Sequence, residues 1–156
     1  MILISAEQRK IQTLLRLSHD ERGLAIVAIA LTCAIKIMLW AIPFRIAKRS
    51  AETASLPRVF LRNYSETQIV WAVRLASRYI PRASCLPQAL AAQILLSGAG
   101  LESRLHIGVA QAGRFEAHAW VECSGRVLIG GSDESARYVP ILTLQRELRG
   151  FSRKSD

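Results

Sequence analysis

The stretch SCLPQALAAQILLSGAGLESRLHIGV, Ser84–Val109, decides the fold because its hydrophobic period changes within it. The Ala/Leu-rich run after Ser84, a residue type that often caps helices, predicts a helix that ends near Gly98. Beyond this glycine, apolar residues occupy every second position, at Leu105, Ile107 and Val109. This period of two predicts a strand, so the chain passes from helix into sheet.

The residues after this stretch predict an antiparallel meander. A second strand is predicted over Phe115–Glu122 and a third over Arg126–Ile129, with a tight turn between them. A loop follows from residue 130 to 133, and Ile141–Leu148 is predicted to form a short closing helix. Helices followed by an antiparallel sheet indicate the α+β class.

The residues before this stretch predict further helices. Ser18 with Glu21, and Ser65 with Gln68, have the spacing of capping boxes, and each precedes an apolar run. A helix is also predicted over Ala6–Leu17. The polar residues 50–57 indicate a linker, which predicts an N-terminal helical region at 1–60 and a core at 61–156.

The apolar stretch Leu24–Ile42 has the length of a minimal membrane span. Its one charged residue, Lys36, costs about 2.5–3.5 kcal/mol at the centre of a span. This cost, with the high alanine content, favours a helix buried in a soluble protein over a membrane span. The first ten residues have no basic region leading into an apolar core, as a signal peptide would, so a cytoplasmic location is expected, with peripheral membrane association as an open alternative.

Composition narrows the classes of function. The net charge is +9 and the pI is about 10.3, which suits an acidic partner. The basic residues do not alternate with aromatic ones and form no nucleic-acid-binding motif, so nucleic acid is not expected as a partner. The three cysteines, Cys33, Cys85 and Cys123, have no metal-ligand spacing, so neither a metal nor another cofactor is expected.

Cys85 is the candidate nucleophile because it follows the predicted N-cap directly. A thiolate at this position faces unpaired backbone N–H groups and the positive end of the helix dipole, both of which stabilise it. The same N–H groups can stabilise an oxyanion. Considered alone, a cysteine is more often a small buried apolar residue, which is the expectation for Cys33 within its apolar helix.

His118 is the candidate general base. It lies on the second predicted strand between two alanines, which leave room for a helix to pack close to it. His106 and His19 are expected to be structural. A base needs an orienting partner, and the loop that carries Asp133 is expected to return toward His118. Glu134 and an uncharged group remain alternatives.

Four segments together carry a resemblance to a known family: SCLPQALAAQ at 84–93, LHIGV at 105–109, AHAWVE at 117–122 and GRVLIGG at 125–131. They resemble the leader peptidases of lasso-peptide biosynthesis, which belong to the transglutaminase-like superfamily. The resemblance covers about residues 68–141. It implies a transglutaminase-like or papain-like core, with a cysteine at a helix N-terminus packed on a small antiparallel sheet.

The resemblance also implies a Cys–His–Asp triad, in which Cys85 and His118 match directly. Many relatives carry the aspartate about a dozen residues after the histidine. In this chain that position is Gly130, and Asp133 comes three residues later. The resemblance therefore implies Asp133 as the third member of the triad, three residues after the usual position.

The activity that the resemblance implies is removal of the leader from a ribosomally made lasso-peptide precursor by a cysteine peptidase. Its expected partners are the precursor, a separate leader-recognition protein and an ATP-dependent macrolactam cyclase. Two other functions stay open. One is acyl transfer to an amine by the same cysteine and histidine, and the other is a non-catalytic, membrane-associated binding protein.

Overall fold

The structure, a computed structural model, describes residues 18–41, 61–81, 84–110, 116–131 and 137–146. These residues form three helices and four strands, with bounds as follows: α1 His19–Ala41, α2 Glu66–Tyr79, α3 Cys85–Gly98, β1 Ser103–Ala110, β2 Ala117–Cys123, β3 Arg126–Ile129 and β4 Tyr138–Arg146. The strands form one antiparallel sheet in the order β3-β2-β1-β4. The predicted α+β class is confirmed.

Local capping explains where α1 and α2 begin. The Ser18 backbone N–H donates to Glu21 Oε2 at 2.9 Å, and the Glu21 N–H donates back to Ser18 Oγ at 3.3 Å. Ser65 and Gln68 make the same reciprocal pair at the start of α2. Each box satisfies backbone donors that a helix start otherwise leaves unpaired, so both predicted capping boxes are confirmed.

The core lies between the helices and one face of the sheet. Leu24 of α1, Val73 of α2 and Leu95 of α3 are fully buried in it. The sheet contributes Leu105 and Val121, together with Ala119, Ile129 and Leu144. Because α1 shares this core with α2 and α3, the helix packs as an integral layer of the described structure. The proposed boundary near residue 60, the linker at 50–57 and the helix at Ala6–Leu17 lie outside the described residues.

The prediction of a closing helix over Ile141–Leu148 is wrong, because this segment belongs mainly to β4. The strand pairs with β1 from Ser103↔Arg146 to Ala110↔Tyr138. A bulge between Ile107 and Gly108 accommodates the extra residue Ile141 next to Pro140. Pro140 lacks a backbone N–H but is tolerated, since β4 is an edge strand.

A buried glutamine joins α3 to this edge strand. Gln93 Nε2 donates to the Leu144 carbonyl at 2.6 Å, and the side chain of Gln93 is 3% exposed. The contact fixes the middle of α3 over the pair Leu105↔Leu144. It also satisfies a polar group that would otherwise be buried without a partner.

Candidate active site

The start of α3 and the start of β2 lie at the same end of the sheet. The chain reverses between Gly98 and Ser103, so α3 runs antiparallel to β1. Cys85 precedes Gln93 by eight residues, or about 12 Å along a helix. Gln93 lies over the pair Leu105↔Leu144, so Leu105 marks the same level in the sheet. The same distance of about 12 Å along β1 from Leu105 leads to the level of Gly108, which pairs with His118.

Cys85 is the first residue of α3, directly after the N-cap Ser84. This confirms the predicted position of the cap, but the Ser84 side chain makes no capping hydrogen bond. The Cys85 side chain is half-buried and packs against the edge of the core. Its thiol is free of any disulfide and lies where helix N–H groups are unpaired, as a nucleophile of this kind needs.

His118 is held by a backbone carbonyl. Its Nε2 lies 2.8 Å from the carbonyl oxygen of Gly130 at the end of β3. A carbonyl oxygen can only accept, so Nε2 carries the proton in this contact. In the neutral imidazole the lone pair is then on Nδ1, which defines Nδ1 as the basic nitrogen.

The His118 ring belongs to a row of aromatic rings on the sheet face opposite the core. It stacks with Trp120 at a centroid distance of 6.2 Å and with Tyr138 at 5.0 Å. Trp120 stacks in turn on His106 at 5.3 Å. These contacts limit the rotation of the His118 ring, and the hydrogen bond to Gly130 orients it further.

Two glycines make room for Trp120, the largest side chain of this row. A Cβ atom on Gly108 would lie 3.0 Å from the Trp120 ring and 2.8 Å from the Val139 carbonyl oxygen. A Cβ on Gly130 would lie 2.6 Å from Trp120 Cβ. Gly130 also has φ +101°, a conformation that residues with a side chain rarely adopt. Glycine at position 130 therefore allows Trp120 to pack against the backbone and allows the Gly130 carbonyl to approach His118.

No residue that the structure describes, His118 included, makes a hydrogen bond with Cys85 Sγ. Strand alternation directs His118 to the face of Trp120, whereas Ala119 points toward the helices. The structure therefore brings Cys85 and His118 to one end of the sheet without joining them. His118 therefore points away from the helix that carries Cys85, and the catalytic pair stays a prediction.

Asp133 and Glu134, the acidic candidates for orienting the base, lie outside the described residues. The carbonyl of Gly130 is the orienting group that sequence reasoning missed. Gly130 stands at the position where the resemblance implies an aspartate, but a glycine has no side chain from which a role can be read. No group of three or more potential metal ligands occurs among the described residues.

The remaining polar candidates lie elsewhere. His106 Nδ1 is 3.0 Å from Thr143 Oγ1, and its Nε2 is 3.5 Å from Glu122, which fits the structural role expected for it. Cys123 is buried and ends β2 at the far end of the sheet. Burial raises the pKa of the Cys123 thiol, which disfavours the thiolate. Among the three cysteines, Cys85 alone begins a helix.

A cysteine at a helix N-terminus and a strand histidine are the residue types that cysteine peptidases and acyltransferases use. A family model of the transglutaminase-like superfamily matches residues 26–143. The chain belongs to this superfamily, whose members are typically cysteine peptidases or acyltransferases. Comparisons with curated proteins and with solved structures found no match.

Proposed function

We propose that this protein is a cysteine peptidase that removes the leader from a ribosomally made lasso-peptide precursor. The observation that carries the proposal is the position of Cys85 at the start of α3, level with His118, in a transglutaminase-like chain. The specific substrate class rests on the resemblance of the motifs around Cys85 and His118.

In the proposed reaction, Cys85 Sγ attacks the carbonyl carbon of the bond between leader and core. His118 Nδ1 takes the thiol proton and gives it to the leaving amine, which is the N-terminus of the core peptide. Backbone N–H groups at the start of α3 stabilise the tetrahedral oxyanion. His118 then activates a water molecule that hydrolyses the thioester and releases the leader.

This mechanism requires the His118 ring, which lies on the sheet face opposite the helices, to turn toward the start of α3 so that Nδ1 comes within hydrogen-bond distance of Sγ. The Gly130 carbonyl supports this mechanism because it keeps the proton on His118 Nε2 while the imidazole is neutral. The imidazolium that forms after proton transfer donates to the same carbonyl, which acts in place of a carboxylate. Asp133 remains a proposed additional orienting group.

The proposed partners follow from the reaction. A separate leader-recognition protein would deliver the precursor, and an ATP-dependent cyclase would close the macrolactam on the freed core N-terminus. Both steps belong to the cytoplasm, where ATP is available. A pull-down of this chain with the recognition protein, in the presence of precursor, tests the first association. If the two proteins never associate, the delivery step is wrong.

The decisive experiment compares three single substitutions in a precursor-cleavage assay: Cys85→Ala, Cys33→Ala and Cys123→Ala. Cys85→Ala should lower the rate by orders of magnitude, because catalytic residues of this kind act as a unit. Cys33→Ala and Cys123→Ala should still cleave the precursor, and any loss of rate should match the loss of folded protein. Retained cleavage by Cys85→Ala would refute the proposal.

Mass spectrometry of the products separates peptidase from acyl transferase. Hydrolysis gives a leader with a free C-terminal carboxylate. Transfer gives a leader joined to the added amine. A product that carries the amine would assign the chain to the acyltransferase branch of the same chemistry.

A further inference from the structure

Helix α1 has an apolar face on each side. Its inner face carries Leu24, Ala28 and Ile35, which are buried in the core. Its outer face exposes Ile26 and Ile37 by 64% each and Trp40 by 90%. Exposed alanines fill the positions between these large residues. We call this outer face the apolar stripe and define it by Ile26, Ala30, Ala34, Ile37 and Trp40.

The apolar stripe carries no charge and is continuous. It extends from Ile26 to Trp40, which corresponds to a rise of about 21 Å along the helix. The one charged residue between Leu24 and Ala41 is Lys36, whose Nζ donates to the Pro81 carbonyl and so turns toward the protein. A single exposed apolar side chain needs no explanation, but a contiguous row of this length indicates a binding surface.

The charges of the chain indicate which surface the stripe fits. The net charge is +9, and Arg45, Lys48 and Arg49 follow α1 closely in the sequence. Tryptophan favours the boundary between headgroups and acyl chains, and Trp40 is the stripe residue nearest to these cations. Apolar residues beside a basic cluster are typical of helices that lie on anionic membranes.

We propose that α1 docks the protein on the surface of an anionic lipid bilayer, with the apolar stripe at the acyl boundary. This proposal is independent of the peptidase activity. By length and composition α1 could also cross a membrane. Its inner face, however, is part of the same core as α2, α3 and the sheet, so crossing would remove Leu24 and Ile35 from that core.

A bilayer suits the stripe better than a second copy of the chain. Two copies, each with a net charge of +9 over the whole chain, would repel each other, whereas anionic headgroups attract this charge. The side chains of the stripe also offer no hydrogen-bonding group except the indole N–H of Trp40. This chemistry matches an acyl surface, which has no polar groups to satisfy.

The test is co-sedimentation of the full chain with vesicles of phosphatidylcholine containing phosphatidylglycerol, and with vesicles of phosphatidylcholine alone. The wild type should bind the anionic vesicles and be weakened by salt, since the electrostatic part is screened. The double variant Ile37→Glu/Trp40→Glu should bind at least about tenfold more weakly, because two inserted apolar side chains are lost.

The matched control is Val139→Glu/Ile141→Glu on β4. Both of these residues are apolar and exposed, and the double change adds the same two negative charges. The control should bind more tightly than the stripe variant. Equal losses in the two variants would show that charge alone drives binding, and this would overturn the role of the stripe. A wild type that does not sediment with anionic vesicles would overturn the proposal entirely.

A second measurement uses a substitution that adds no charge to α1. Brominated lipids should quench the wild-type tryptophan fluorescence, and Trp40→Phe should lose most of this quenching, because Trp120 is buried and Trp71 is partly buried against the core. In lipid-free protein, acrylamide should reach Trp40 freely. If Trp40 is instead shielded, or if the stripe variant converts a wild-type dimer to a monomer, then this chain covers the stripe itself and the proposal fails.

Discussion

Substitution of Gly130 by alanine should destabilise the protein and also disturb His118. The new Cβ would lie 2.6 Å from Trp120 Cβ and 3.0 Å from the Ala119 carbonyl oxygen, and neither atom belongs to a flexible side-chain end. The φ of +101° adds a conformational penalty of about 1–2 kcal/mol for a residue with a side chain. Relief of the contact requires a backbone shift of a strained site, which costs about 1–3 kcal/mol more.

The expected result for Gly130→Ala is a loss of about 2–5 kcal/mol in the free energy of unfolding, measured by urea denaturation. Gly100→Ala is the matched control, because Gly100 has φ +81° but no atom within 4 Å of its new Cβ. It should lose only the conformational part, about 1–2 kcal/mol. Equal losses in the two variants would refute the claim that Trp120 and β2 are packed against Gly130.

The same pair of variants tests the orientation of the base. At a temperature where both are fully folded, Gly130→Ala should lower kcat of precursor cleavage and shift its pH profile, since the carbonyl no longer faces Nε2 at hydrogen-bond distance. Gly100→Ala lies on the turn before β1 and should keep the wild-type profile. An unchanged profile in Gly130→Ala would show that the carbonyl does not position His118.

Three further predictions concern stability and reactivity. Ser65→Ala should lower the free energy of unfolding by about 1 kcal/mol, whereas Ser84→Ala should change it by less, because Ser84 makes no side-chain capping bond; urea denaturation of both checks this contrast. Gln93→Met should destabilise by about 1–3 kcal/mol in the same assay, since the buried Leu144 carbonyl loses its side-chain donor. Iodoacetamide should label Cys123 slowly at pH 7 and faster as the pH rises, because burial raises the thiol pKa in the folded state. The stability that the protonated thiol contributes is complete below the unfolded-state pKa and is lost as the pH rises through the folded-state pKa. Rapid labelling of Cys123 at pH 7 in the native protein would contradict this prediction.

Local signals predicted the helices well because their causes are local. The Ser18 and Ser65 capping boxes each involve residues three apart, and both form as predicted. The structure begins α3 at Cys85, where the sequence places it. The period of two in β1 and the turn between β2 and β3 are also local features, and the three strands that they predict are present.

The fourth strand was missed because its cause is not local. Residues 141–146 form a strand through pairing with β1, which lies more than 30 positions earlier in the chain. The segment contains apolar residues next to each other and then Gln145 and Arg146, which is compatible with one or two helical turns. Propensity is a weak guide where an edge strand gains its stability from a partner.

The site shows the same division between local and distant causes. Cys85 was found because a cysteine after an N-cap can be recognised within a few residues. Gly130 was not found because its contribution is a carbonyl, which every residue has, placed by a left-handed backbone conformation beside His118. A glycine at the position where the resemblance implies an acidic residue was the one available signal.

The burial of α1 in the core bears on how this protein can be divided. Leu24 and Ile35 reach that core from a helix that ends at Ala41, and α2 begins only at Glu66. A chain that starts at residue 61 would expose the apolar surfaces that α1 covers and would be prone to aggregate. Produced together as two polypeptides, residues 1–60 and 61–156 should instead reassemble, since α1 contacts the rest of the core through side chains such as Leu24 and Ile35.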